Sequence, residues 1–157
     1  MNILEITKEE VDWAYEVWGQ LIADLTHTDA HKRSRAAQFL AHLAISDSKN
    51  KMLDDFPAIW NVMKDEKFVT ARHSLQAIWR IGLAGSEQKE LVVNQLADRY
   101  KNCTDEKNYT LIRFDIIQGL KHLFDEMDDE EVKSLTKQLI DLETDQQYKK
   151  KYTSVWK

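Results

Sequence analysis

The pattern Q-x-[LI]-x-[HR]-[LI] occurs three times, at Gln38 to Leu43, Gln76 to Ile81 and Gln118 to Leu123, with first residues 38 and then 42 positions apart. A unit that recurs at such a period is one supersecondary element unable to bury its apolar face alone, so neighbouring copies must stack. Extended backward, the first copy carries Arg33, Ala36, Ala37, Leu40, Leu43 and Ala44. The second carries Ala71, Ser74, Leu75, Ile78, Ile81 and Gly82, and the third Arg113, Ile116, Ile117, Leu120, Leu123 and Phe124. At about 100° per residue each set falls on one side of a helix, which makes every copy amphipathic. Ala36, Ala37 and Ser74 are small enough to admit a close neighbour.

Between the copies lie further periodic stretches: Val11, Tyr15, Trp18, Leu21, Ile22 and Leu25; Ile59, Trp60 and Met63; Leu91, Val92, Leu96 and Tyr100; Val132, Leu135, Leu139 and Leu142. The chain therefore reads as all-α, alternating outer and inner helices, with brief turns at 27–29, 64–66 and 102–105. Thr7 followed by Glu10 matches a capping box, and Asp29, Ser86 and Asp128 stand where N-caps are wanted. Pro57 is expected in the first turn of the second outer helix, because in a helix interior it removes a hydrogen bond and clashes with the preceding turn. That helix is therefore expected to be short or broken. In the tail, Tyr148, Tyr152, Val155 and Trp156 have the spacing of one helix face and read as a capping helix, whose other face carries Lys149, Lys150 and Lys151.

The run Arg33-x-x-Ala36-Ala37-x-Phe39-Leu40-Ala41-x-Leu43-Ala44 resembles the inner-helix pattern of HEAT-like repeats. Ser74-Leu75-x-Ala77-Ile78-x-x-Ile81-Gly82 and the turn residues Asp29 and Asp65 extend the likeness over roughly residues 8–143. The resemblance implies a right-handed α-solenoid of about three and a half antiparallel helix pairs. Its repeats would span roughly 8–46, 47–84 and 86–125, with a half repeat at 128–143 and a capping tail at 144–157, all within one domain. The third copy departs from the pattern, with Ile116 and Ile117 where small residues are expected. A family of this kind specifies a scaffold far more than an activity.

With 157 residues the chain is long enough for one self-sufficient core. Five each of Trp, Tyr and Phe argue against disorder. A single cysteine, Cys103, cannot close an internal disulfide, and a reducing cytosol is the simplest compartment for it. Neither a secretion leader nor an apolar run long enough to span a bilayer is evident, so a cytoplasmic monomer is the expectation.

Net charge is −5, which disfavours a dedicated nucleic-acid binder. The charge is unevenly placed: residues 1–25 sum to −5 and 125–143 to −6, whereas 29–45 sum to +2, 65–82 to +1 and 105–124 to zero. Opposite the apolar stripe of each inner helix lies a polar one. Arg35/Gln38/His42, His73/Gln76/Arg80 and Asp115/Gln118/His122 share the spacing i, i+3, i+7, and Trp79 lies at the border. If the inner helices align, these become a ladder on the concave surface, where repeat proteins hold their partners. Such donors suit an extended or acidic protein segment. Its binding should weaken with salt and strengthen as His42, His73 and His122 protonate below about pH 6.5. Arg33 and Arg113 are expected to pair with turn acids such as Asp29, Asp65 or Asp105 and so tie adjacent repeats together.

Catalytic signatures are sparse. The four glycines form no phosphate-binding loop, and no cofactor is implied. His27-Thr28-Asp29-Ala30-His31 reads as a capped turn rather than a metal site, and the acidic run 125–131 lacks the glycine of a calcium loop. A noncatalytic interaction scaffold is the main expectation. The alternative is a nucleic-acid-binding protein similar to the DNA glycosylases for alkylated bases built from related helical repeats. Those enzymes use aspartate, arginine and tryptophan in a basic groove; Asp115, Arg80, Arg113 and Trp79 offer those residue types, without a motif that assigns catalytic roles.

Overall fold

A computed structural model describes residues 2–157. Among the described residues the chain is helical throughout, with no strand. In chain order it forms α1 (Ile3–Ile6), α2 (Ala14–Asp24), α3 (Ala30–Leu43), a 3-10 turn (Ala44–Ser46), α4 (Lys51–Val62) and α5 (Phe68–Ala77). A longer 3-10 segment (Ile78–Ala84), α6 (Ser86–Asn102), α7 (Tyr109–Met127), α8 (Glu130–Asp141) and α9 (Gln146–Val155) follow.

The three copies of the repeat fall on α3, on α5 with its 3-10 continuation, and on α7. These lie side by side: α3 packs along α5, α5 along α7, and the long 3-10 segment touches both α3 and α7. The small residues expected at the first contact, Ala36, Ala37 and Ser74, are all buried there. Leu40, Ile78 and Leu120, the apolar third residue of each copy, are buried in the core. Of the intervening helices, α2 packs on α3, α4 bridges α3 and α5, and α6 and α8 pack on α7. The tail forms the expected helix, and α9 lies against α7 and α8 with Tyr152 fully buried.

Ion pairs stitch the helices at the ends where their backbones turn. Arg33 grips Asp65 through Nε (2.6 Å) and Nη2 (3.0 Å) while also donating to the carbonyl of His27. The guanidinium holds the Asp65 carboxyl below its usual range. Lys89 reaches Asp129 in the same manner, with the same effect on that carboxyl. Arg113 does not pair with Asp105. It donates to the Tyr100 carbonyl (2.9 Å), lies over the Tyr100 ring and stands 3.4 Å from the buried Glu143. The Tyr152 and Tyr109 hydroxyls also donate to Glu143, so α9 is pinned by a buried carboxylate with several partners.

Several local expectations are corrected. Thr7 closes α1 instead of opening a helix, its hydroxyl donating to the carbonyls of Ile3 and Leu4, and α2 begins only at Ala14. A threonine hydroxyl can serve the turn before it as readily as the turn after it, which makes the pattern ambiguous in sequence. Asp29 does cap α3, accepting from the His31 N–H. Asp129 rather than Asp128 caps α8, because Asp128 ends α7 in the left-handed region at φ 52°. Gly85 precedes α6, and Ser86 is its first residue. Pro57 lies inside α4, and the helix is unbroken. Leu53 loses its partner N–H there, while Met52, Phe56, Ile59 and Val62 on the opposite side are buried in the core and hold the helix in register. The buried Asp47 supplies the start of α4, accepting from the N–H groups of Lys51 and Met52 and from the Tyr15 hydroxyl.

Candidate functional site

The helix carried by α5 tightens at Ile78 into seven residues of 3-10 geometry. With three residues per turn, positions 78 and 81 share a side; both isoleucines are buried, so Trp79 and Arg80 project away from them. Trp79 is 7% exposed and stacks on His122 of α7, with centroids 5.1 Å apart and planes 25° apart. The Arg80 guanidinium lies over the Trp79 ring at 4.7 Å. The same segment lies close to α7 at Gly82, where a Cβ would stand 3.0 Å from a Leu123 methyl.

A groove of about 420 Å³ opens beside this stack. Gln38 and His42 line it from α3, His73 and Gln76 from α5, Trp79 and Arg80 from the 3-10 segment, and His122 from α7. Those seven stripe residues share one surface, although the sequence places them in three separate copies. A second groove of about 550 Å³ adjoins it through Gln38 and His73, and Arg35 lines that one. The remaining two members stand elsewhere. Gln118 is half-buried and lines neither groove. Asp115 is 1% exposed, clasped by Arg72 through Nε (2.8 Å) and Nη2 (2.9 Å) and by the Gln76 amide (3.2 Å). Its carboxylate is therefore a fastening between α5 and α7, not a group presented to a ligand.

Charge in the groove also differs from expectation. His42 is 8% exposed, and its Nδ1 has no hydrogen-bond partner. Burial, with a further push from the Arg80 charge, lowers its pKa to about 4. His42 is thus neutral across the physiological range and leaves the set of residues expected to protonate below pH 6.5. Arg80 forms no ion pair or hydrogen bond among the described residues; burial makes its charged form costlier, while Glu126 and Glu5 push the other way from a distance. The Gln38 amide donates to Ser34 Oγ (2.9 Å) and that of Gln76 to Asp115, which leaves both carbonyl oxygens open to incoming N–H groups.

Sequence reasoning missed the residues that shape the rims. Glu126 closes one end of the first groove, and the second is floored by Leu4, Phe68 and Val69 with Lys67 at its edge. Val69 is 63% exposed. Its signal was an apolar side chain 500° of helical rotation before the buried Ser74, well off the core stripe. Among the described residues no three metal-capable side chains cluster, and no helix is long and apolar enough to cross a membrane. Cys103 is buried, and burial raises its thiol pKa.

Comparison with protein-family models, with curated proteins and with solved structures gave no match to this chain.

Proposed function

We propose that this chain is a noncatalytic interaction module, a HEAT-like right-handed stack of about three and a half helix pairs that holds a partner protein segment along its inner helices. The observation that carries this reading is the groove beside Trp79, where side chains from α3, α5, the 3-10 segment and α7 converge around an arginine without a carboxylate partner. The two open glutamine carbonyls suit backbone N–H groups of an extended segment, and Arg80 suits an acidic one. Neither a paired acid and base nor an activated nucleophile lines the groove, so recognition accounts for its chemistry better than turnover.

Affinity purification from the native cell tests this, with wild type set against a Gln76→Ala/Arg80→Glu variant of unchanged helicity. Partners recovered by wild type and lost by the variant are the expected result; identical recovery would place binding elsewhere. If nucleic acid is what the groove retains, log affinity will instead fall linearly with log salt, with a slope set by the number of phosphates neutralised.

A further inference from the structure

The two grooves share Gln38 and His73 in their walls, yet they differ in chemistry. One is floored by Phe68, Val69 and Leu4, with Arg35 and Lys67 at its edge; the other ends at Arg80 beside the Trp79–His122 stack. Resting on the interaction reading above, we propose that the bound segment is bipartite, with an acidic side chain seated on Arg80 and a bulky apolar side chain about six residues away seated against Phe68 and Val69.

Three observations converge on this. The guanidinium of Arg80 is stacked on an indole and half-buried, and an arginine so placed keeps its planar fork free for a carboxylate. The nearest carboxylates of the chain, Glu126 and Glu5, act on it only from a distance and make no ion pair with it. His42 is neutral, so Arg80 is the cation of that groove, which Glu126 also lines without pairing to it. At the other end, the exposed Val69 beside Phe68 leaves apolar surface uncovered, and the cations at its edge match the charge of the same acidic segment. The spacing follows from helix geometry. Phe68 and Arg80 are twelve positions apart, nine steps at a rise of about 1.5 Å and three at about 2.0 Å, or about 20 Å in all, and an extended segment covers that distance in about six residues.

Random dodecapeptides displayed on phage and selected on the immobilised protein supply the probe. The enriched peptides should carry Asp or Glu about five to seven positions from Leu, Ile, Phe or Met, and their binding should shift the Trp79 indole resonance. In synthetic copies, replacing the acid with its amide should weaken binding to wild type tenfold or more, and to Arg80→Gln less than twofold. Val69→Ser, a change at an exposed site, should weaken peptides that retain the apolar residue and leave those lacking it unaffected. Peptides that shift the groove resonances without preferring an acid overturn the bipartite motif and leave the interaction module standing. Peptides that bind elsewhere, or no enrichment at all, overturn both. The substitution within the peptide leaves the protein unaltered, so the test does not depend on any variant folding.

Discussion

His42 and Asp115 are both nearly sealed from water, and the fold treats them oppositely. Arg72 and Gln76 satisfy both carboxylate oxygens of Asp115. Asp115→Asn should therefore cost about 1–3 kcal/mol, since Arg72 loses its charged partner but keeps partial access to water. A thermal melt of the variant measures it, and an unchanged melting temperature would mean the clasp contributes nothing. His42 has no hydrogen-bond partner at Nδ1 and is held neutral. Its folded pKa of about 4 lies below the 6.5 of a free imidazole, so between those values the unfolded chain binds a proton that the folded chain refuses. Stability from this residue is full above pH 6.5 and drains away as the pH falls toward 4, by about 3 kcal/mol in all. Urea midpoints at pH 7 and 4.5 should converge in His42→Gln relative to wild type; parallel losses in the two proteins would remove His42 as the cause.

At the level of the element, apolar periodicity located the principal helices because burial enforces it: every intervening stretch from Tyr15 to Leu139 that carries the pattern lies on α2, α4, α6 or α8. Boundaries were less legible, since Thr7, Asp128 and Ser86 have side chains suited to more than one position in a turn. The change to 3-10 geometry at Ile78 left no trace in the pattern, because Ile78 and Ile81 fit a three-residue turn as well as a four-residue one. For the same reason the stripe was readable on α3 and α5, whereas on α7 Asp115 is drawn under Arg72, a pairing over 43 residues that no local spacing reveals. Pro57 marks where tertiary packing overrides local preference. The core contacts of α4 hold the helix through it, so Pro57→Ala should restore the N–H to the Leu53 carbonyl and stabilise the protein by about 1–2 kcal/mol, the helix gain outweighing the looser unfolded chain. Urea denaturation checks the sign, and a loss would show that the ring itself is needed.

For the molecule as a whole, α9 closes one end. It seats Tyr152 on Glu143 and the Thr110 carbonyl, and Trp156 on the Ile117 carbonyl. Removing residues 146–157 takes the Tyr152 hydroxyl from Glu143 and uncovers two large aromatic seats, a loss of at least about 3 kcal/mol. Hydrogen exchange should then quicken first in α7 and α8 and last in α2 and α3; uniform quickening would mean that the ends are one cooperative unit. That graded response has a mechanical counterpart. No side-chain hydrogen bond among the described residues joins positions more than 43 apart, so no bond ties the first helices to the last. A tension applied between the two ends of the chain has no single clamp to break. It meets Arg33–Asp65, Arg72–Asp115 and Arg113–Glu143 in turn, each with the core packed around it, and the protein should lengthen in steps, giving up one fastening at a time, as a spring does rather than a lock.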